Sequence, residues 1–242
     1  MVDYVIHAAA QVSVSVSVND PKYDADQNII GLLNVLNFYK KYSVKKILFA
    51  SCAAVYGIPE SLPVRESSKT EALSFYGLTK LTGEQYIKIY SKLHGLKYVI
   101  FRYANVYGER QDAHGEAGAV AIFSIKILAE EEICIEGDGN QTRAFIYVKD
   151  VARANYLAVK ENVENQIFNI GTNSETSINE LAETMKANSE YNKKIIYRES
   201  RKGYIRNSRL DNTNFMKNSS WKVNYSIEKA MSAFPGKIKE CR

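Results

Sequence analysis

Tyr76 and Lys80 stand four residues apart in "FYGLTK", a spacing that puts a phenol and an ammonium on one face of a helix. An ammonium beside a phenol favours the phenolate and draws its pKa down from about 10. Such a tyrosine can take the proton of a sugar or alcohol hydroxyl while hydride leaves the carbon. The spacing alone selects nothing, because Tyr42/Lys46, Tyr156/Lys160 and Tyr225/Lys229 repeat it in a chain with 17 tyrosines. Context selects Tyr76. It opens a helix directly after a long loop that follows a buried strand, and ligands of open α/β sheets bind at that edge.

Other candidates for chemistry are few. Cys52, Cys134 and Cys241 have neither metal nor disulfide spacing, and an odd count suits a reducing, cytoplasmic compartment. His7, His94 and His114 are too scattered for a metal site, so no metal is expected. The formal charge of +5 is spread along the chain, which argues against a nucleic-acid partner. It leaves room for a few arginines around an anionic ligand. No run approaches the roughly 20 apolar residues of a membrane span, so no membrane partner is expected. The opening "MVDYVIHAAAQ" ends like a secretion signal, but Asp3 interrupts it and no Lys or Arg precedes its short apolar run.

Positioning these residues falls to a chain that is 45% hydrophobic and 24% charged, enough for one large or two small domains. Val2, Tyr4, Val5 and Ile6 form a near-continuous apolar run, which predicts a strand buried on both faces of a parallel sheet. Residues 12–18 alternate valine and serine, predicting a half-exposed strand. Asp20 and Pro21 suit the cap and first position of a helix running to about residue 42. Strands over 45–51 and 96–103 flank a helix over 75–94 that Gly95 stops. This alternation is the signature of right-handed βαβ crossovers.

After a loop over 104–118 the pattern predicts a helix at about 119–131 and strands "ICIEG" and "AFIYV". Asp150 caps the next helix; strand "IFNIG" and a helix with Ser177 and Glu180 spaced as a capping box follow. Strand "KKIIYR" and a final helix "YSIEKAMSAF" complete the chain. The expected fold is α/β: a doubly wound parallel sheet over 1–104, then a smaller α/β part over 105–242. Residues 144–171 are expected to pack back on the first part.

Seven stretches, in order, resemble the NAD-dependent epimerase/dehydratase family of extended short-chain dehydrogenase/reductases, and within it the UDP-glucose 4-epimerases. They are "DYVIHAAAQ", "NIIGLLNVL", "VKKILFASCAAVYG", "FYGLTKLTGEQY", "FRYANVYGERQDAHGEAGAVAIF", "GDGNQTRAFIYVKDVARAN" and "FNIGT". The resemblance implies a Rossmann-like sheet in which "DYVIHAAAQ" is the fourth strand. The first three strands, roughly 60 residues at about 30 per unit, are then expected to be missing from these 242. With them would go the glycine-rich turn for the NAD pyrophosphate; no G-x-G-x-x-G occurs here. A compact member that never had this part is the other reading.

By the same resemblance Tyr76 is the general base and Lys80 its partner. His7, Ala8, Ala9, Ala10, Gln11, Asn28, Ala50 and Ser51 line the NAD site, with Tyr103 near the nicotinamide. Asn105, Arg143 and Arg201 hold the diphosphate of a UDP-sugar substrate, while Ala119 and Val120 lie along the uridine. A homodimer through helices 22–42 and 75–94 is implied. The implied function is 4-epimerisation of a UDP-hexose, with the chain as given expected to be inactive. A non-catalytic remnant or UDP-sugar-binding protein, or another sugar-nucleotide-modifying enzyme of the extended short-chain dehydrogenase/reductases, is the alternative.

Departures from the pattern bear on the substrate. Cys52 stands where a Ser or Thr hydroxyl meets the sugar oxygen, and a thiol is a much weaker donor. Ser51 could substitute, although adjacent side chains of an extended segment point opposite ways. Tyr204 replaces the carboxylate that holds the uridine ribose, and Ala144 stands where Asp is common. Ala53 and Ala54 can transfer no proton, which favours an epimerase over a dehydratase.

Overall fold

The computed structural model describes residues 2–112, 118–199 and 205–232. In chain order the elements are β1 (Tyr4–His7), α1 (Val14–Asn19), α2 (Pro21–Ala25), a π-helical turn (Asp26–Ile30), α3 (Gly31–Tyr42) and β2 (Lys46–Cys52). A 3-10 turn (Ala53–Tyr56) leads through a long loop to α4 (Phe75–His94), β3 (Lys97–Tyr103), β4 (Asn105–Tyr107), α5 (Ala119–Leu128) and β5 (Ile133–Glu136). There follow β6 (Thr142–Arg143), β7 (Phe145–Tyr147), α6 (Val148–Lys160), β8 (Gln166–Ile170), β9 (Thr176–Ser177) and α7 (Ile178–Ala187). The last described elements are β10 (Ile195–Arg198), α8 (Thr213–Asn218) and α9 (Ile227–Ser232).

A parallel sheet of order β1-β2-β3-β8 forms the centre. The side-chain period of two divides its residues between two cores. Ile47, Phe49 and Ile100 meet Leu32, Leu36 and Ile87 of α3 and α4 on one face. Leu48, Val99, Phe101 and Phe168 meet Ala154 and Ala158 of α6, with Phe215 and Trp221, on the other. The doubly wound architecture is therefore the one the periodicity predicts. A third core gathers Tyr107, Phe123, Ile133, Ile135 and Leu181 around β5 and α7. Small pairs extend it: β10 beside β5, β4 beside β7, and β6 antiparallel to β9.

Several local signals hold. Ser177 and Glu180 form the capping box, and Gly95 ends α4 in the left-handed region at φ 72°. Others are overridden. The valine–serine alternation folds as α1: Ser13 Oγ accepts from Val16 N, and no strand of the described residues lies beside it to pair. Ser17, not a valine, is the buried residue there, and its hydroxyl donates back to Val14 O at 2.7 Å. β1 is an edge strand rather than one buried on both faces, with Tyr4 41% and Ile6 50% exposed. Asp150 does not cap α6, which begins two residues earlier; its carboxylate accepts the backbone N–H of Asn224 and Tyr225 instead. The segment after 104 holds β4, and α8 had no forecast.

Two glycines set the approach of α4. A Cβ on Gly83 would lie 2.8 Å from the Phe49 ring, and one on Gly77 2.8 Å from Ala54 O. Only a bare α-carbon lets the helix seat Tyr76 this close to the end of β2.

Candidate active site

The carboxyl ends of β2 and β3, where the last residues Cys52 and Tyr103 pair in register, form the floor of the site. Ser74 opens α4 beside them, its side chain accepting from Gly77 N. Tyr76 thus sits in the first helical turn, and its hydroxyl is within hydrogen-bonding reach of the Cys52 thiol. Lys80, one turn on, is buried: its Nζ donates to Ala50 O at 2.9 Å and lies 5.9 Å from the Tyr76 ring centre. Burial lowers the Lys80 pKa from its ordinary value. Burial pushes the Cys52 thiol up, opposed by Tyr76 and the Lys80 charge. This thiol is therefore a neutral donor at neutral pH.

His7 stacks on Phe49 at 5.9 Å, and burial together with the Lys80 charge keeps its imidazole below the usual range. Ala8 and Ala9 are exposed and Ala10 is half-buried, leaving their backbone open toward the same edge. Asn28 fixes the next corner, accepting from Gln11 N at 2.9 Å and donating to Gln11 O at 3.0 Å. The fold thus gathers His7, Ala50, Cys52, Tyr76 and Lys80, with Gln11 and Asn28 behind them.

Ser51 is not in that group. Its hydroxyl is buried and donates to Glu84 Oε1 at 2.6 Å, on the face opposite to Cys52. Tyr103 turns toward α6, where Asn155 donates to its hydroxyl at 2.8 Å. Burial raises its pKa, which leaves it a neutral phenol.

Asn105 lies two residues past the end of β3, so within about 7 Å of it along an extended chain. It is exposed, pairs with Phe145, and donates through its backbone N–H to Ala144 O at 2.9 Å. That contact brings it beside Arg143, whose Nη1 donates to Thr142 O at 2.7 Å and Arg206 O at 3.4 Å. Ala119 and Val120 open α5, and Val120 is buried in the third core. Arg201 and Tyr204 lie outside the described residues. Among the described residues no His, Cys, Asp and Glu cluster could hold a metal ion, and no helix is long and apolar enough to cross a membrane.

Reasoning from sequence missed the charges beneath the site. Glu84 and Arg102 form a buried two-pronged ion pair, Nε to Oε1 at 2.9 Å and Nη2 to Oε2 at 2.6 Å. Asp24 is equally buried below Asn28. Glu84 is four residues after Lys80 and Asp24 four before Asn28, so helical spacing was a signal for both.

A model of the NAD dependent epimerase/dehydratase family matches residues 1–171. A Methanocaldococcus jannaschii protein, named as a candidate UDP-glucose 4-epimerase, is 50% identical over 211 residues, 87% of this chain and 68% of its own. The structure of Thermotoga maritima UDP-glucose 4-epimerase with UDP-glucose matches 98% of this chain and 76% of its own, with a TM-score of 0.93 and 41% identity. That of the Thermus thermophilus UDP-glucose 4-epimerase complex with NAD matches 100% and 79%, with a TM-score of 0.92 and 33% identity.

Proposed function

Because this chain belongs to the NAD dependent epimerase/dehydratase family, we propose that it is built for 4-epimerisation of a UDP-hexose with NAD. What carries the reading is the cluster of Cys52, Tyr76 and Lys80 at the sheet edge, with Asn105 two residues past Tyr103, the strand partner of Cys52. The nicotinamide end of NAD fits the residues present. The small side chains of Ala8 to Ala10 leave backbone open, Gln11 and Asn28 lock the corner, and Lys80 is held at the Ala50 carbonyl near the end of β2. Bound there, NAD supplies a hydride acceptor that can return the hydride.

Tyr76 takes the proton of the C4 hydroxyl and later restores it. The charge of Lys80 stabilises the phenolate that forms meanwhile. Cys52 offers the sugar oxygen a weak hydrogen bond, and Asn105 with Arg143 holds the diphosphate while the sugar turns. Ala53 and Ala54 beside them carry no proton to transfer, which suits reversible chemistry at one carbon better than expulsion of an oxygen.

The 242 residues contain no glycine-rich turn for a pyrophosphate. On their own they are expected to purify without NAD and to convert no UDP-galactose when NAD is added. Conversion measurably above that of Tyr76→Phe would overturn this expectation. A UDP-sugar-binding protein without turnover is the second reading.

We place a homodimer on the outer faces of α2–α3 and α4, where Tyr23, Ile30, Phe38, Leu78, Ile89 and Leu93 are exposed. Ile89→Glu combined with Leu93→Glu is expected to turn a dimer into a monomer in sedimentation velocity. A monomeric wild type would remove the proposal.

A further inference from the structure

Asp24, in α2, is fully buried and receives hydrogen bonds from three separate parts of the chain. Its Oδ1 accepts from Gln11 Nε2 at 2.6 Å and from Asn28 Nδ2 at 3.0 Å, and its Oδ2 accepts from Thr79 Oγ1 at 2.9 Å. Gln11 also binds the backbone of Ser13 at both its N–H and its C=O. Asn28 lies within the π-helical turn Asp26–Ile30, a local widening that re-aims side chains. Thr79 is the residue before Lys80 on α4. One carboxylate therefore joins the 11–13 corner, the π-turn and the helical turn that carries Lys80.

A buried carboxylate needs a compensating charge as well as donors. The nearby cation is Lys80, whose ammonium Asp24 favours against its burial. Four titratable groups face Lys80: His7 from β1, Asp24 from α2, Cys52 from the end of β2 and Tyr76 from α4 itself. Glu84, further along α4, also acts on Cys52.

We propose that Asp24 is a positioning residue for the Tyr76–Lys80 pair, holding Lys80 charged and in register with the 8–13 corner. The inference rests on the reading of Tyr76 and Lys80 as the reacting pair, but its test needs no turnover. Cys52 adjoins both groups and serves as the probe, because the Lys80 charge eases its ionisation.

The experiment follows iodoacetamide alkylation of Cys52 against pH in the full 242-residue chain, read by mass spectrometry of its peptide. In Asp24→Asn, Lys80 loses the charge that favours its ammonium and Thr79, the residue before it, loses its carboxylate partner, so the Cys52 thiolate becomes harder to form. Alkylation at mildly alkaline pH is expected to slow about threefold, equivalent to half a pKa unit. Lys80→Met is expected to slow it at least as much, and Asp24→Asn added to Lys80→Met to slow it no further. Where Asp24→Asn does not fold by circular dichroism, Thr79→Val removes only the α4 donor and carries the test, with a slowing of about twofold expected. An unchanged or faster rate in the folded variant overturns the proposal, as does further slowing on the Lys80→Met background. The full pattern in a chain that proves to lack epimerase chemistry would sink the function and uphold the coupling of Asp24 to Lys80.

Discussion

Glu84→Ala is expected to destabilise the protein by about 3–5 kcal/mol, the usual cost of leaving one member of a buried ion pair without its partner. Glu84 and Arg102 have side chains 0% and 4% exposed and meet through two parallel hydrogen bonds. Ser51 adds a third donor to the carboxylate. The Arg102 guanidinium also lies 4.8 Å from the centre of the Tyr56 ring, and burial pushes the Tyr56 hydroxyl up to about 12, so it stays neutral. Removing Glu84 therefore strands a guanidinium, not a surface charge. A paired replacement, Glu84→Leu with Arg102→Met, should recover much of the loss, because no uncompensated charge remains. Urea denaturation with an unchanged m-value gives the measurement. A loss below about 1 kcal/mol for Glu84→Ala would mean that water reaches Arg102 and the pair is not sealed.

Arg143→Ala is expected to weaken UDP binding more than about tenfold, since a hydrogen bond to a charged group contributes about 1.5–3 kcal/mol. Two backbone carbonyls, those of Thr142 and Arg206, orient the guanidinium beside Asn105. The neighbouring Arg206 is paired with Asp138 at 2.9 Å. Binding should also weaken with added salt, because both partners are charged and the site is partly exposed. Calorimetry with UDP on wild type and variant decides the matter. Equal affinities would detach Arg143 from the diphosphate, and no binding by folded wild type would remove the site.

The site is legible in part from sequence alone. Tyr76 and Lys80 are fixed on one face of α4 by their spacing, and the cap Ser74 and the stop Gly95 frame that helix within a turn of each end. Cys52 and Ser51 also separate by rule: neighbours on a strand face opposite ways, and only Cys52 meets Tyr76. The alternation at 12–18 misleads because alternation makes a strand only where another strand is there to pair. Ser13 and Gln11 instead satisfy the first turn of a helix.

The parallel sheet, the course of α4 and the placing of Tyr76 and Lys80 on one face of it follow from periods of 2 and 3.6 and from caps, all of which act within about one turn of the backbone. Sequence by itself determined those. Burial and charge pairing are set by which elements touch, and spacing along the chain does not encode that. Only the tertiary structure therefore decided that Arg102 answers Glu84 across 18 residues, and that Asp24 reaches Thr79 across 55. The Asp24 carboxylate is buried because the Lys80-bearing turn of α4 closes over it.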